Sequence, residues 1–433
     1  MKLIIHRGTK EIGGSCVELC SGKTRIIIDL GMPLVNTQGE PFNSKEIENK
    51  TVPELIANHI LPDIRGIYVG EEKGIDAILI SHPHQDHYGL LRYINPEIPV
   101  YMSEGTLALI RASDIFIPTK ANLHKAVSFK MWEKFKIVDL IITPQLVDHS
   151  AFDAAAFLIE GEGKKILYSG DYRGHGRKKV LFDNFIDKPI SNVDYLLLEG
   201  SMLGRAVGLY PSEQSVEIKM TSIFRNKSNM AFVFCSSQNI DRIVSVYRAA
   251  KKAGQITVID LYTAFILNSI KNKSNKLPQY SWTDVRVLYL ASHAKTLADN
   301  GLKSFLYDCV KAKIKKKDLC LYKNKVVIIT RDNYDFKKIL REIDDLNGVK
   351  AIYSMWEGYL ENSDLRDRLG QKGIELEIVH TSGHAPESDL KRFVVACKPK
   401  CIIPIHTFYP QAYQTLFPGT IVHTLNDAEE LIF

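Results

Sequence analysis

The alternation of apolar and polar positions divides the chain into three stretches. In the first, short apolar runs recur with turn residues between them. Positions 2–6 are apolar, 15–20 alternate after the Gly13-Gly14 break, and 24–30 follow the turn Ser21-Gly22-Lys23. That is the layout of a β-hairpin with extensions. Residues 32–74 hold one helical pattern, at 52–59. Apolar residues 75–80 then read as a buried strand. Residues 89–93 start a helix, 99–102 form a short strand, a helix begins near 103, and 120–136 read as helix or loop. Residues 138–147 are extended, 154–160 and 165–169 pair as a hairpin across 161–163, and 193–198 form another buried strand.

After about Gly204 the spacing changes. A helix at 212–224, a strand at 230–234, a helix at 239–253, a strand at 256–260 and a helix from 264 alternate, with further strands at 325–330 and 348–353. Strands separated by helices predict a parallel sheet. From 376 the first type of pattern returns, with strands at 376–380 and 401–405 around a helix at 386–397. The change of pattern after about Gly204 therefore predicts a boundary there, followed by an α/β block.

Bulk properties narrow the picture only a little. A chain of 433 residues, 45% hydrophobic and 24% charged, is long enough for two or three globular domains. No apolar run approaches the roughly 20 residues of a membrane span, and the residues after Met1 read as a strand rather than a signal peptide. The expectation is a cytoplasmic protein without membrane contact. A net charge of +6 permits a polyanionic partner without demanding one. The lysine-rich run 311–317 reads as a solvated helix face. The seven cysteines are odd in number and scattered, which reads as buried thiols rather than a disulfide framework.

Candidate chemistry concentrates in Ser81-His82-Pro83-His84-Gln85-Asp86-His87, directly after the strand at 75–80. Imidazole and carboxylate are the ligand set of catalytic zinc sites. His82 and His84 are two apart at a strand end, so both project to one side. Asp86 and His87 follow on the turn and reach a second position, a spacing suited to two adjacent metals. Further acids and histidines stand at strand ends: Asp29, His149, Asp171, Glu199 and His406. Recurrence there is what a site built along one sheet edge would produce. Asp29 reads as a group orienting a ligating histidine. Arg173 and Arg177, just after Asp171, are candidates to hold phosphate. Ser382-Gly383-His384, before the helix at 386–397, reads as a phosphate-binding arrangement.

These residues resemble a known family. His82-Pro83-His84-Gln85-Asp86-His87 fits the H-x-H-x-D-H motif of metallo-β-lactamase-fold hydrolases. Glu199, Ser382-Gly383-His384-Ala385 and Ile403-Pro404-Ile405-His406 resemble the extra motifs of the nucleic-acid-processing β-CASP branch, and the segment from His380 to His406 is most similar to the ribonuclease J group. The resemblance implies an αββα sandwich formed by 1–205 and 376–433, with an inserted β-CASP domain at 206–375. It implies one zinc held by His82, His84 and His149 and a second by Asp86, His87 and His406. Asp171 would bridge the two ions, with Asp29 behind His87. His384, paired with Glu199, would act near the leaving group. The chain departs from that group where Val326–Arg331 runs into Asp332-Asn333-Tyr334 instead of a glycine- and glutamine-containing stretch, and it ends soon after His406 where the group carries a further domain.

The expected function is metal-dependent hydrolysis of single-stranded RNA, endonucleolytic or 5′-to-3′ exonucleolytic, by two-metal activation of water. Manganese could replace zinc. The rivals are a DNA nuclease using the same site and a small-molecule hydrolase of the same fold. The oligomeric state is open.

Overall fold

In the computed structural model, which describes residues 1–36, 39–117, 120–205 and 210–433, the strands among the described residues form three seven-stranded sheets. The first runs, in spatial order, Glu430–Ile432, Lys2–Arg7, Cys16–Ser21, Thr24–Ile28, Ala77–Leu79, Val100–Ser103 and Ala126–Phe129. The second runs Ile421–Val422, Cys401–Ile405, Tyr195–Glu199, Lys164–Tyr168, Ala155–Gly161, Leu140–Leu146 and Phe135–Ile137. Their inner faces meet in one core. Leu3, Val17, Ile26, Ile28 and Leu79 of the first sheet pack on Phe157, Ile159, Ile166, Leu197 and Ile403 of the second. Each outer face is covered by a separate apolar cluster carrying the helical segments. This is the αββα sandwich that the motifs implied.

The third sheet is wholly parallel, in the order Lys313–Ile314, Val285–Leu288, Ile256–Asp260, Val326–Thr330, Ala231–Phe234, Lys350–Tyr353, Leu376–Ile378. Apolar clusters cover both faces, which is why Ala231–Phe234 is a continuous apolar run without alternation. Phe232 at its centre is fully buried. Removing such a ring costs about 3–5 kcal/mol.

Several elements differ from the expectation. Leu376–Ile378 pairs with Lys350–Tyr353 as the edge of the third sheet, so the return at 376 was placed too early. The other expected boundary, between 205 and 206, adjoins residues 206–209, which lie outside those described. Residues 120–136 hold two strands, Ala126–Phe129 and Phe135–Ile137. Each buries only one residue fully, Phe129 and Ile137, too little to leave a pattern. The lysine run is not a helix face. It passes through the two-residue strand Lys313–Ile314, with Ala312, Ile314 and Leu319 turned inward and the lysines mostly outward. All seven cysteines are free, and five of them are buried.

Candidate metal centre

The site sits where strands of both sandwich sheets end. Asp29 follows Thr24–Ile28, and His82 follows Ala77–Leu79. His149 follows Leu140–Leu146, Asp171 follows Lys164–Tyr168, and His406 follows Cys401–Ile405. Asp86 and His87 lie on the single helical turn Gln85–Tyr88. Backbone bonds from the loop after Thr24–Ile28 hold that turn: Leu30 N–H donates to His87 O (2.8 Å) and Met32 N–H to Gln85 O (2.9 Å), with Ser15 N–H to Asp86 O (3.2 Å). Gly31 lies so close beneath that a Cβ there would sit 1.7 Å from Asp86 O. Only glycine admits this approach.

Two groups of ligand atoms converge. In the first, His84 Nδ1 is 3.1 Å from His82 Nε2 and 3.2 Å from His149 Nε2. The edge of a tetrahedron with zinc–nitrogen bonds of about 2.05 Å is about 3.3 Å. The second holds Asp86, His87 and His406, with Asp86 Oδ2 3.8 Å from the Nε2 of each histidine. Asp171 Oδ2 faces both groups, 3.6 Å from His82 Nε2, 3.1 Å from His87 Nε2 and 3.7 Å from His406 Nε2.

The outer contacts fix which ring nitrogen is free. His149 Nδ1 lies 2.6 Å from Gly383 O. A carbonyl can only accept, so Nδ1 carries the proton and Nε2 offers a lone pair. His87 Nδ1 donates to Asp29 Oδ2 at 2.8 Å in the same way. Asp29 also accepts from Ser81 N–H (2.7 Å), Ser81 Oγ (2.8 Å) and the Tyr168 hydroxyl (2.8 Å). It is therefore a rigid buried acceptor, on a left-handed backbone at φ 59° that aspartate tolerates. His406 Nδ1 accepts from Gly13 N–H at 3.3 Å and lies 2.8 Å from Ser15 Oγ, contacts that hold the ring with Nε2 turned inward.

Electrostatics separate the groups. Burial, with repulsion from neighbouring imidazoles, holds His82 and His149 well below the usual histidine range. Burial also lowers His84 to about 4, against the pull of Asp86 and Asp171. All three are thus neutral, the form that ligation requires. Burial opposes charge on His87, but Asp171, Asp29 and Asp86 outweigh it and raise its pKa. Burial would likewise raise Asp171, but His406, His87 and His384 hold it well down.

His87 Nε2, Asp171 Oδ2, His406 Nε2 and His384 Nδ1 are all buried without a hydrogen-bond partner. Buried polar atoms are normally paired. Imidazole nitrogens, once deprotonated, converging beside a carboxylate are the donor set that suits divalent cations, so the residues present fit metal.

The remaining expected residues divide. His384 Nδ1 is 3.4 Å from Glu199 Oε1 and 3.7 Å from Asp171 Oδ2, and its ring lines an open cleft of about 640 Å³. Glu199 is held by backbone N–H groups of Ser201 (3.0 Å), Ala385 (3.2 Å) and Tyr172 (3.4 Å). Ser382 and Gly383 line the same cleft, but the helix begins only at Glu387. Their carbonyls are directed at Arg173, His175 and His149 (2.8, 3.1 and 2.6 Å), so the expected anion cradle at a helix start is not formed.

Arg173 and Arg177 do not offer free guanidinium groups to a phosphate. Arg173 is fully buried, with Nη2 2.8 Å from Asp241 Oδ2, Nη1 3.4 Å from Glu213 Oε1 and Nε 3.6 Å from Asp148 Oδ1. Arg177 donates to Glu217, Ser245 Oγ and Asp241 O. Both arginines tie the sandwich to the helices Glu213–Asn226 and Ile240–Lys252. Sequence reasoning also missed Ser15, Ser81, Tyr168 and Gly31. Gly31 alone carried a signal, as the glycine two positions beyond a strand-end acid.

Comparison with known proteins agrees with this geometry. Residues 51–218 match the beta-lactamase superfamily domain, and residues 374–414 match the Zn-dependent metallo-hydrolase RNA specificity domain. The chain is 23% identical to the RNase J-like protein of Methanocaldococcus jannaschii, over 98% of this chain and 96% of that one. It is also 23% identical to the ribonuclease J of Sinorhizobium meliloti, over 80% of this chain but only 60% of the longer relative. A crystal structure of a protein of unknown function from Enterococcus faecalis superposes over 100% of this chain and 99% of that one, with a TM-score of 0.79 at 19% identity. No helix among the described residues is long and apolar enough to cross a membrane. The chain has the metallo-β-lactamase fold and is similar along most of its length to proteins named ribonuclease J or RNase J-like.

Proposed function

We propose that this protein hydrolyses phosphodiester bonds of single-stranded RNA at a two-metal centre. One observation carries the reading: Asp171 Oδ2 faces both ligand groups within 3.1–3.7 Å. His82, His84 and His149 would hold one ion, and Asp86, His87 and His406 the other, with Asp171 shared. Zinc suits the nitrogen-rich group, and manganese suits the more carboxylate-rich one. Two such ions lower the pKa of water and offset the charge that develops on a phosphoryl oxygen.

The chain's own residues do the rest. Asp29, Ser15 and the Gly383 carbonyl aim the imidazoles, so little reorganisation accompanies binding. His384 lines the cleft beside Asp171 and is placed to give a proton to the departing 3′-oxygen, with Glu199 fixing the ring. The domain division follows from the same reading: the sandwich carries the metal ligands, and the part built on the third sheet walls the cleft.

RNA is favoured as substrate by the match of residues 374–414 and by the ribonuclease J relatives. The test is incubation of labelled single-stranded RNA and DNA with the purified protein, with and without chelator. RNA cleavage that chelation abolishes is expected; cleavage of neither strand refutes the reading, and cleavage of DNA alone replaces it with a DNA nuclease. His384→Ala should retain metal and slow turnover by about 10²–10⁴.

A further inference from the structure

The cleft that exposes His384 and Asp86 has a second wall, which comes from the third sheet. Lys350–Tyr353 ends there, and the chain turns into the short helix Glu357–Glu361. Trp356 stands immediately before that helix and Tyr359 within it, and both line the cleft together with Asp86, His384 and Arg205. The two rings meet edge to face, with centroids 5.2 Å apart and planes at 84°. They are not core residues: Trp356 is 47% exposed and Tyr359 57%, whereas Leu360 beside them is buried and anchors the turn.

The indole is held in position. It lies over Gly358, where a Cβ would come within 2.4–2.7 Å of three of its ring carbons. The Arg205 guanidinium sits 5.2 Å from its centroid, and among the described residues Arg205 makes no ion pair. Tyr359 lines the cleft beside Asp86 of the metal-ligand turn.

Large apolar rings left open to water cost free energy unless something covers them. A pair of aromatic faces, with the Arg205 cation beside it and the candidate metal centre opposite, matches one chemistry closely. Nucleobases stack on aromatic rings, arginine adds cation–π attraction, and the phosphate chain carries the negative charge. A base can reach such a face only when it is unpaired.

We propose that Trp356 and Tyr359, with Arg205 over the indole, form a stacking platform for unpaired bases next to the phosphate bound at the metal centre. The inference rests on the nuclease reading and adds the part of the substrate that this wall recognises. The platform selects single strands and is insensitive to base identity, because every base has a π face.

The test is equilibrium binding of hydrolysis-resistant single-stranded oligoribonucleotides to the metal-loaded protein, one set carrying bases and a matched set abasic. Trp356→Ala and Tyr359→Ala should each weaken binding of the base-bearing strand about tenfold, within the range measured for single base–aromatic stacks. Trp356→Phe, which keeps a ring, should stay within about threefold of wild type, while Trp356→Leu should behave as the alanine variant. All variants should bind the abasic strand as wild type does. Unchanged binding of the base-bearing strand by Trp356→Ala and Trp356→Leu overturns the platform, as does an equal loss on the abasic strand. If the wild-type protein cleaves RNA yet binds both strands alike, the platform alone falls. If it neither cleaves nor binds single strands, the nuclease reading falls and takes the platform with it.

Discussion

Replacing Glu213 with glutamine changes one charge and almost no volume, at the place where the third-sheet region is tied to the sandwich. Glu213 is fully buried. It accepts from Arg242 Nη2 (2.9 Å) and Nε (3.3 Å), from Arg173 Nη1 (3.4 Å) and from Ser245 Oγ (2.6 Å). Burial raises its pKa, but Arg242 and Arg173 outweigh that and hold it down. Arg173 keeps Asp241 and Asp148 as partners when Glu213 is neutralised. Arg242, equally buried, has no other carboxylate among the described residues and retains only Ser354, His380 and the Thr381 carbonyl. Stranding a buried charge costs about 3–5 kcal/mol. Glu213→Gln should therefore move the urea unfolding transition by about that free energy. The double variant Glu213→Gln/Arg242→Met should lose no more than the single one, because it removes the stranded cation as well. A shift below about 1 kcal/mol in the single variant would refute the claim that this cluster joins the two regions.

Three further outcomes follow from named contacts. Asp29→Ala should lower metal affinity about 10- to 100-fold, measured by chelator competition, since it frees the His87 ring and removes the acceptor for Ser81 and Tyr168; Asp29→Asn should fall between that variant and wild type. Gly31→Ala should displace the Asp86–His87 turn and lower metal content while the unfolding transition stays cooperative. Glu18 is held at about 2 against an ordinary 4.5, because burial is outweighed by His6 and Arg25. Its folded-state pKa is depressed, so its contribution is complete above about pH 4.5 and is lost as pH falls towards 2. Wild type should lose thermal stability over that window more steeply than Glu18→Gln.

The sequence made the inner ligands readable because each sits at the end of an apolar strand, where a polar residue stands out. His82, His84, Asp86 and His87 announced themselves by density, and His149, Asp171 and His406 by recurrence at the same kind of position. The groups behind them left no such mark. Ser15, Ser81 and Tyr168 are ordinary residues on strands or turns, and only the packing of the two sheets turns them into orienting contacts. The basic loop misled for a related reason. A run of arginine and lysine reads as free to hold phosphate when its carboxylate partners lie 40 and 68 positions away, as Glu213 and Asp241 do from Arg173. The strand Glu430–Ile432 is three residues long with only Leu431 partly buried, and gains its place from pairing with Lys2–Arg7 across the whole chain. The third sheet was readable as a parallel α/β unit because its buried strands are continuous apolar runs separated by helices, but its last strand, Leu376–Ile378, is only partly buried and looked like the start of the next region.

Whether two ions share Asp171 is read from elemental analysis of the metal-loaded protein. Close to two divalent ions per chain are expected in the wild type. His149→Ala and His406→Ala should each reduce that to close to one, by emptying different halves of the site, and Asp171→Ala should weaken both. One ion per chain in the wild type, or an unchanged count in His406→Ala, would contradict the sharing of Asp171 by two ions.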